Sequence, residues 1–220
     1  MQIGILGATG PAGRSLAVRL ASVGFDVIIG SRSKYRAMEI RDSLLERWQG
    51  RELALGADDN ESAADAELVV IATPWDAAAA TALSVERRLR GKVVVSMANA
   101  LAKVGHEFQP LVPPRGSVAA SVQAAVPRAR VAAALHHVPA KELGDIDHPV
   151  ESDVLICSDH PEATQTVAEI LHKVPGLRPL DAGELSNAAP IEAFAAVLLQ
   201  LNMRYKTRVA VRLTGIGDVT

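Results

Sequence analysis

Gly7, Gly10 and Gly13 stand at three-residue intervals directly behind a short apolar run that contains Ile3, Ile5 and Leu6. Behind the glycines comes a stretch with helical character that runs to Gly24. Strand, glycine turn and helix in that order are the context of a dinucleotide-binding βαβ unit, because backbone amides at a helix N-terminus face a pyrophosphate with little side-chain cover. Ala8 stands where the commonest fingerprint has glycine. The glycine turn through Gly7, Gly10 and Gly13 is expected to cradle the cofactor here.

A second apolar run begins at Phe25 and ends in Gly30-Ser31-Arg32. A site selective for NAD needs a carboxylate about 20 residues after the glycine turn, to hold the ribose hydroxyls. No Asp or Glu follows this run before Glu39. Arg32 and Arg36 offer charge-assisted bonds to a 2′-phosphate, with Ser31 as a hydroxyl donor. The expected cofactor is NADP(H).

Thr73-Pro74-Trp75 follows a third apolar run, and ligands of open α/β sheets sit beyond the carboxyl ends of strands. Thr73 is expected to touch the ribose or nicotinamide. Trp75 either does the same or plugs the core beside the alanine-rich segment that follows. Another strand end, Met97 to Leu101, again brings short side chains and free amides. His136-His137 closes a later strand. Neighbours on a strand point to opposite faces, so the pair is ill suited to one metal, and no Cys/His/Asp cluster stands at ligand spacing. One histidine is expected to face the cleft and the other to make a structural hydrogen bond.

The chain that must position these residues has 220 residues, 49% hydrophobic and 22% charged, with a net charge of −2. That is enough to bury a full core, and it excludes broad nucleic-acid or membrane-surface binding. Cys157 is the only cysteine, so no internal disulfide can form. No apolar run approaches a membrane span, and the first strand begins at once, leaving no room for a signal peptide. A cytoplasmic protein is expected. Aromatic residues make up only 3%, and alanine fills much of the remainder, which predicts close helix-on-sheet packing.

Strand and helix patterns alternate to about residue 180, as in a mostly parallel, doubly wound α/β sheet of Rossmann-like type. Strands are expected at 51–55, 67–72, 92–96, 130–135, 153–158 and 177–180. Helices are expected at 33–49, 62–65, 76–83, 117–125 and 161–173. Asp58-Asp59-Asn60 reads as a turn, and the proline-rich stretch 103–117 reads as a surface loop. A long final helix places Ile191, Phe194, Ala195, Leu198 and Leu201 at helical spacing. The tail 209–215 alternates like a strand that walls a pocket. A domain of residues 1–183 with a small C-terminal helical lobe, 184–220, is expected.

Several longer motifs carry a resemblance. They are Gly-Ala-Thr-Gly at 7–10, Ile-Gly-Ser-Arg at 29–32, Thr-Pro-Trp at 73–75 and Leu-His-His-Val-Pro-Ala at 135–140. Gly-Leu-Arg-Pro-Leu-Asp-Ala-Gly at 176–183 and Leu-Ser-Asn at 185–187 complete the set. Together, and over nearly the whole chain to Thr214-Gly215-Ile216, they resemble the F420-dependent NADP reductases. One departure is Met97-Ala98-Asn99-Ala100, where that family often has a second proline-containing turn.

The resemblance implies hydride transfer between NADP(H) and the deazaflavin coenzyme F420, which lies between the two lobes. Thr9 to Ala12, Ser31, Arg32 and Arg36 would hold NADP(H), with Trp75, Ala79 and Leu101 towards the nicotinamide. Ala140 and Val209 would contact the deazaflavin, with His136 and Pro139 beside it. Direct transfer needs no nucleophile, and the accompanying proton comes from solvent or from His136. The coenzyme's acidic tail calls for a basic surface, for which Arg128, Arg130, Lys141 and Arg208 are candidates. A homodimer through the final helix is expected. Two other readings remain open: an NADPH reductase of an imine, keto acid or metal ion, and a non-catalytic NADP(H) sensor.

Overall fold

A computed structural model describes residues 1–217. The chain opens with β1 (Gln2–Leu6), α1 (Pro11–Ser22), β2 (Asp26–Ser31), α2 (Lys34–Arg47) and β3 (Leu55–Asp59). Next come α3 (Asn60–Ala63), β4 (Leu68–Ile71), α4 (Trp75–Ser84), α5 (Glu86–Leu89) and β5 (Val93–Ser96). A hairpin, β6 (Leu101–Val104) and β7 (Glu107–Pro110), precedes α6 (Val118–Ala125), β8 (Arg130–Ala133) and α7 (Ala140–Leu143). The chain then forms β9 (Ser152–Ser158), α8 (Pro161–His172), β10 (Leu177–Asp181) and the long α9 (Ala188–Tyr205).

The main sheet has the order β10-β9-β8-β5-β4-β1-β2-β3. Six of its strands, from β3 to β8, are parallel, and β9 joins β8 antiparallel through two residue pairs. The strand order reverses between β1 and β4, and this switch point opens the crevice in which such sheets bind ligands. Both faces of the sheet are covered. Leu16, Leu20, Ile40, Leu44, Val167 and Ile170 pack one face, and Ala78, Ala82, Val118 and Val122 pack the other. Alanine on α4 and small residues on α6 let those two helices lie close, as the low aromatic content predicts.

Four local expectations are corrected. The edge strand is β3, not 51–55, and it pairs Val27 with Leu55 through to Ser31 with Asp59. Its polar end carries no apolar alternation to read, and Asp58-Asp59-Asn60 is not a turn. Asp59 instead caps α3, accepting the Ser62 amide at 2.7 Å. The stretch 103–117 is not wholly a loop, because its first half forms the β6–β7 hairpin around Gly105. Pro110 is tolerated there at a strand end on a two-stranded ribbon. The tail 209–215 is not a strand. It lies against β9 through one backbone bond, from the Asp153 amide to the Val211 carbonyl, at 2.7 Å.

Gly4 shows how closely the layers approach. A methyl group on it would stand 1.9 Å from the Ala63 carbonyl oxygen, so β1 admits only glycine beneath α3. Gly4→Ala is expected to cost roughly 2 kcal/mol by overpacking. An unchanged urea midpoint would show that α3 moves freely away from β1.

Candidate active site

The glycine turn sits at the carboxyl end of β1, across the switch point from β4. Gly7 has φ +72°, and a Cβ there would come within 2.3 Å of Thr73 Cγ2. Only glycine therefore lets the turn pass beneath Thr73. The Gly7 amide donates to Asn60 Oδ1 at 3.1 Å, which ties the turn to α3. Gly10 occupies the N-cap of α1 and has no side chain to cap it, and Pro11 follows at the first turn. The remaining first-turn amides, Ala12 among them, are left to face an anion. The Thr73 hydroxyl is buried without a hydrogen-bond partner, as a group held for a ligand would be.

Ser31 is the last residue of β2 and is buried, with Arg32 exposed beside it. Arg32 has no hydrogen bond or ion pair among the described residues. Arg36, in the first turn of α2, pairs with Glu39 at 2.9 Å, and both side chains are exposed. Sheet pairing does bring two carboxylates near, since Asp58 and Asp59 stand opposite Gly30 and Ser31. Both are committed elsewhere, Asp58 to Lys34 at 3.0 Å and Asp59 to the cap of α3. Arg32 is thus the free charge at this end of the crevice.

At the other end lies a cavity of about 210 Å³ bordered by Ala12, Asn99, His136, Ala140 and Val209. Ala12 and the two residues expected at a deazaflavin, Ala140 and Val209, meet in this one space. Trp75 and Ala79 lie on α4, half-buried, with Trp75 packed against the alanine core, and Leu101 opens β6. These three stand outside the cavity's lining.

The histidines do not alternate across a strand, because β8 ends at Ala133. Leu135 turns the chain with φ +69°, a left-handed conformation that costs free energy for leucine. Both histidines are buried and both border the cavity. His137 Nε2 lies 2.9 Å from the Asp153 carbonyl, which is the structural bond expected of one of the pair. Neither nitrogen of His136 closes a hydrogen bond. Burial, and then the neighbouring His137, push its pKa down to about 3, against a smaller opposing pull from the Ala98 and Met97 carbonyls. Burial therefore favours the neutral imidazole at His136.

Asn99 borders the cavity, and the sequence did not single it out. Its Nδ2 donates to the His136 carbonyl at 2.7 Å, while its buried Oδ1 has no partner. The only signal was its place after a strand, shared with its neighbours. Asp153 was also missed. Wholly buried on β9, it binds Arg178 Nε and Nη2 at 2.8 Å each and Arg212 Nη1 at 3.0 Å. It also accepts the Leu213 amide at 2.6 Å. The Arg178 hydrogen bonds come first among the causes that hold this carboxyl well below the usual carboxylate range. The tail is thereby pinned, and the Val209 amide, bonded to Asn202 Oδ1 at 2.6 Å, keeps Val209 on the cavity wall.

A further buried carboxylate, Glu192 on α9, accepts the Val118 and Ala119 amides at 2.8 and 3.1 Å, so α9 is fastened to the N-terminus of α6. Burial pushes its pKa up to about 7 despite those bonds. Among the described residues no group of three or more His, Cys, Asp or Glu could hold a metal.

Asp153→Asn should cost about 3 kcal/mol, since it leaves Arg178 and Arg212 without a buried counter-charge. In the parent, that carboxylate's contribution is complete above pH ~4 and is lost only as pH falls below that value. A melting temperature equal to the parent's at neutral pH would refute the latch. For His136, turnover should show no ionisation of this residue from about pH 5 to 9. A break near pH 6.5 that vanished in His136→Gln would overturn its neutral state.

Comparison with known proteins places this geometry. The family model described as NADP oxidoreductase, coenzyme F420-dependent, matches residues 2–100. The F420-dependent NADP reductase of Methanocaldococcus jannaschii is 34% identical over 98% of this chain and 99% of its own. That of Methanothermobacter marburgensis is 35% identical over 99% of this chain and all of its own. A solved protein of Arthrobacter sp. FB24 superposes with a TM-score of 0.79 at 25% identity, covering 96% of this chain and 99% of that one. Rat metalloreductase STEAP3 is 30% identical over 90% of this chain, but only 37% of its length is covered. With matches of 34% and 35% identity over nearly the full length of both archaeal reductases, the chain belongs to the F420-dependent NADP reductase family.

Proposed function

We propose that this protein moves a hydride between C4 of the nicotinamide of NADP(H) and C5 of coenzyme F420. Written in one direction, NADPH and oxidised F420 take up one proton and yield NADP⁺ and reduced F420. The observation that supports this most directly is the shared cavity, where Ala12 of the dinucleotide turn faces Ala140 and Val209. Hydride transfer needs two stacked rings held at about 3–3.5 Å, and the coenzymes themselves carry the reactivity.

The chain's own work is binding and orientation. The turn from Gly7 through Thr9, Gly10, Pro11 and Ala12 offers amides to the pyrophosphate, and Thr73 offers its unpartnered hydroxyl. Ser31 and Arg32 receive the 2′-phosphate, and Arg36 joins them by exchanging Glu39 for phosphate. Trp75, Ala79 and Leu101 flank the nicotinamide half. Asn99 Oδ1 and the neutral ring of His136 supply hydrogen-bonding capacity at the cavity floor, and the proton enters from solvent. Residues 1–183 serve as the nucleotide domain, and the lobe from 184 closes the deazaflavin side.

The outward face of α9 leaves Phe194 41% and Val197 50% exposed, which supports a homodimer through this helix. No described helix is long and apolar enough to cross a membrane, and a cytoplasmic location fits the single buried cysteine.

The function is tested by absorbance of purified protein with F420 and either nicotinamide. NADPH should bleach the coenzyme's visible band and NADH should not, while no bleaching with either would refute the reading. Arg32→Ala is expected to weaken NADPH about 10–100-fold, the worth of one charge-assisted bond, and to leave NADH nearly unchanged. Equal losses would show that Arg32 does not read the phosphate. Light scattering at micromolar concentration should give twice the chain mass, and a monomer would remove the dimer.

A further inference from the structure

The four arginines and lysines that sequence alone offered to an acidic tail are separated by the fold. Arg130 begins β8, and the Arg128 carbonyl bonds the Gly91 amide just ahead of it. Both stand at the amino edge of the sheet, opposite the cavity, and Arg130 is paired with Glu162. Arg208 is paired with Glu142. The Arg128 and Lys141 side chains have no hydrogen bond or ion pair among the described residues, and of these two only Lys141 lies near the cavity, as the second residue of α7 directly after Ala140 on the cavity wall.

Lys141 opens onto a groove of about 320 Å³ between α1, α2 and α7, which Arg14 and Arg47 also border. No acidic residue lines it among the described residues. Arg14 has no hydrogen bond or ion pair there, and Arg47 makes only a ring contact, 5.2 Å from the Trp48 centroid. Ser15 and Ser43 add hydroxyls to the same walls. Ala140 borders both this groove and the cavity, so the two spaces join at one residue.

The third wall is held rigidly. Arg19 of α1 is buried and donates to the carbonyls of Leu143, Glu142 and His148 at 2.9, 3.1 and 3.0 Å, and also to that of Asp145. A guanidinium buried at such a desolvation cost, with its donors spent on carbonyls, fixes α7 against α1. Three unpartnered cations on fixed helices, with hydroxyls between them and no carboxylate, form a site for an extended polyanion.

We propose that this groove takes the acidic tail of coenzyme F420, its phosphodiester and glutamyl carboxylates, while the deazaflavin ring occupies the cavity beyond Ala140. The proposal rests on the function proposed above. Arg14, Arg47 and Lys141 then set affinity for the tail, whereas the ring and NADPH are held elsewhere.

The test compares F420 with the tail-less deazaflavin riboside, each reduced with NADPH, in the parent and in the Arg14→Gln/Arg47→Gln/Lys141→Gln variant. All three side chains are exposed, so the variant should fold. The parent should favour F420 over the riboside in KM by about tenfold, the combined worth of three solvated charge pairs. That preference should shrink towards one in the variant and, for the parent, in high salt. An unchanged preference would overturn the groove assignment, as would a rise in the NADPH KM in place of the F420 KM, which would give the cations to the nucleotide. Absence of turnover with both deazaflavins in the parent would instead refute the function itself.

Discussion

The close approach of Thr73 to Gly7, where β1 and β4 part, is the contact on which the rest of the site depends. Strands that run in one direction open a crevice at their carboxyl ends only where the order reverses. Here the two strands bordering that point are joined by backbone pairing from Ile3–Leu68 to Leu6–Ile71. The glycine turn must therefore leave β1 under the residue that leaves β4, in a space that admits no Cβ. Asn60 reaches in from α3 to take the Gly7 amide. The uncapped start of α1 is thereby aimed at the space a pyrophosphate would fill.

The second half of the molecule is organised differently, by buried charge. Three ionisable side chains hold backbone segments in place where no regular element would. Arg19 binds the carbonyls after α7, Asp153 binds the tail through two arginines and an amide, and Glu192 binds the amides that start α6. Each charge is costly to desolvate unless its hydrogen-bonding capacity is met. That requirement ties α7 to α1, the tail to β9 and α9 to α6 with directional bonds. The apolar residues there, such as Ala195 and Leu198, could not supply the same directionality. Among the described residues, the cavity between these segments is left with polar atoms that close no hydrogen bond, Asn99 Oδ1, the His136 ring and His137 Nδ1.

The first half was legible in the residue pattern for a local reason. A strand, a glycine turn and a helix are neighbours in sequence, so Gly7 to Ala12 and Ser31-Arg32 can be read without knowing what packs above them. The parallel strands, buried on both faces, appear as plain apolar runs at 67–72 and 92–96. The edge strand β3 and the hairpin have no such burial, and their polar residues read as turn and loop.

Asn60, Asn99 and Asp153 stayed hidden because their partners lie 53, 37 and 25 residues away. No local spacing marks a side chain whose role is to meet a distant amide or guanidinium. By itself the sequence determined the glycine turn, the lack of a carboxylate directly after β2 and the alternation that builds a mostly parallel sheet. These follow from short-range periodicity and from residue chemistry. Tertiary structure decided that the histidines turn to one side after Ala133, that His136 stays neutral and that Lys141 rather than Arg128, Arg130 or Arg208 borders the site. Those outcomes depend on burial and on which distant groups pair, and only the folded chain sets them.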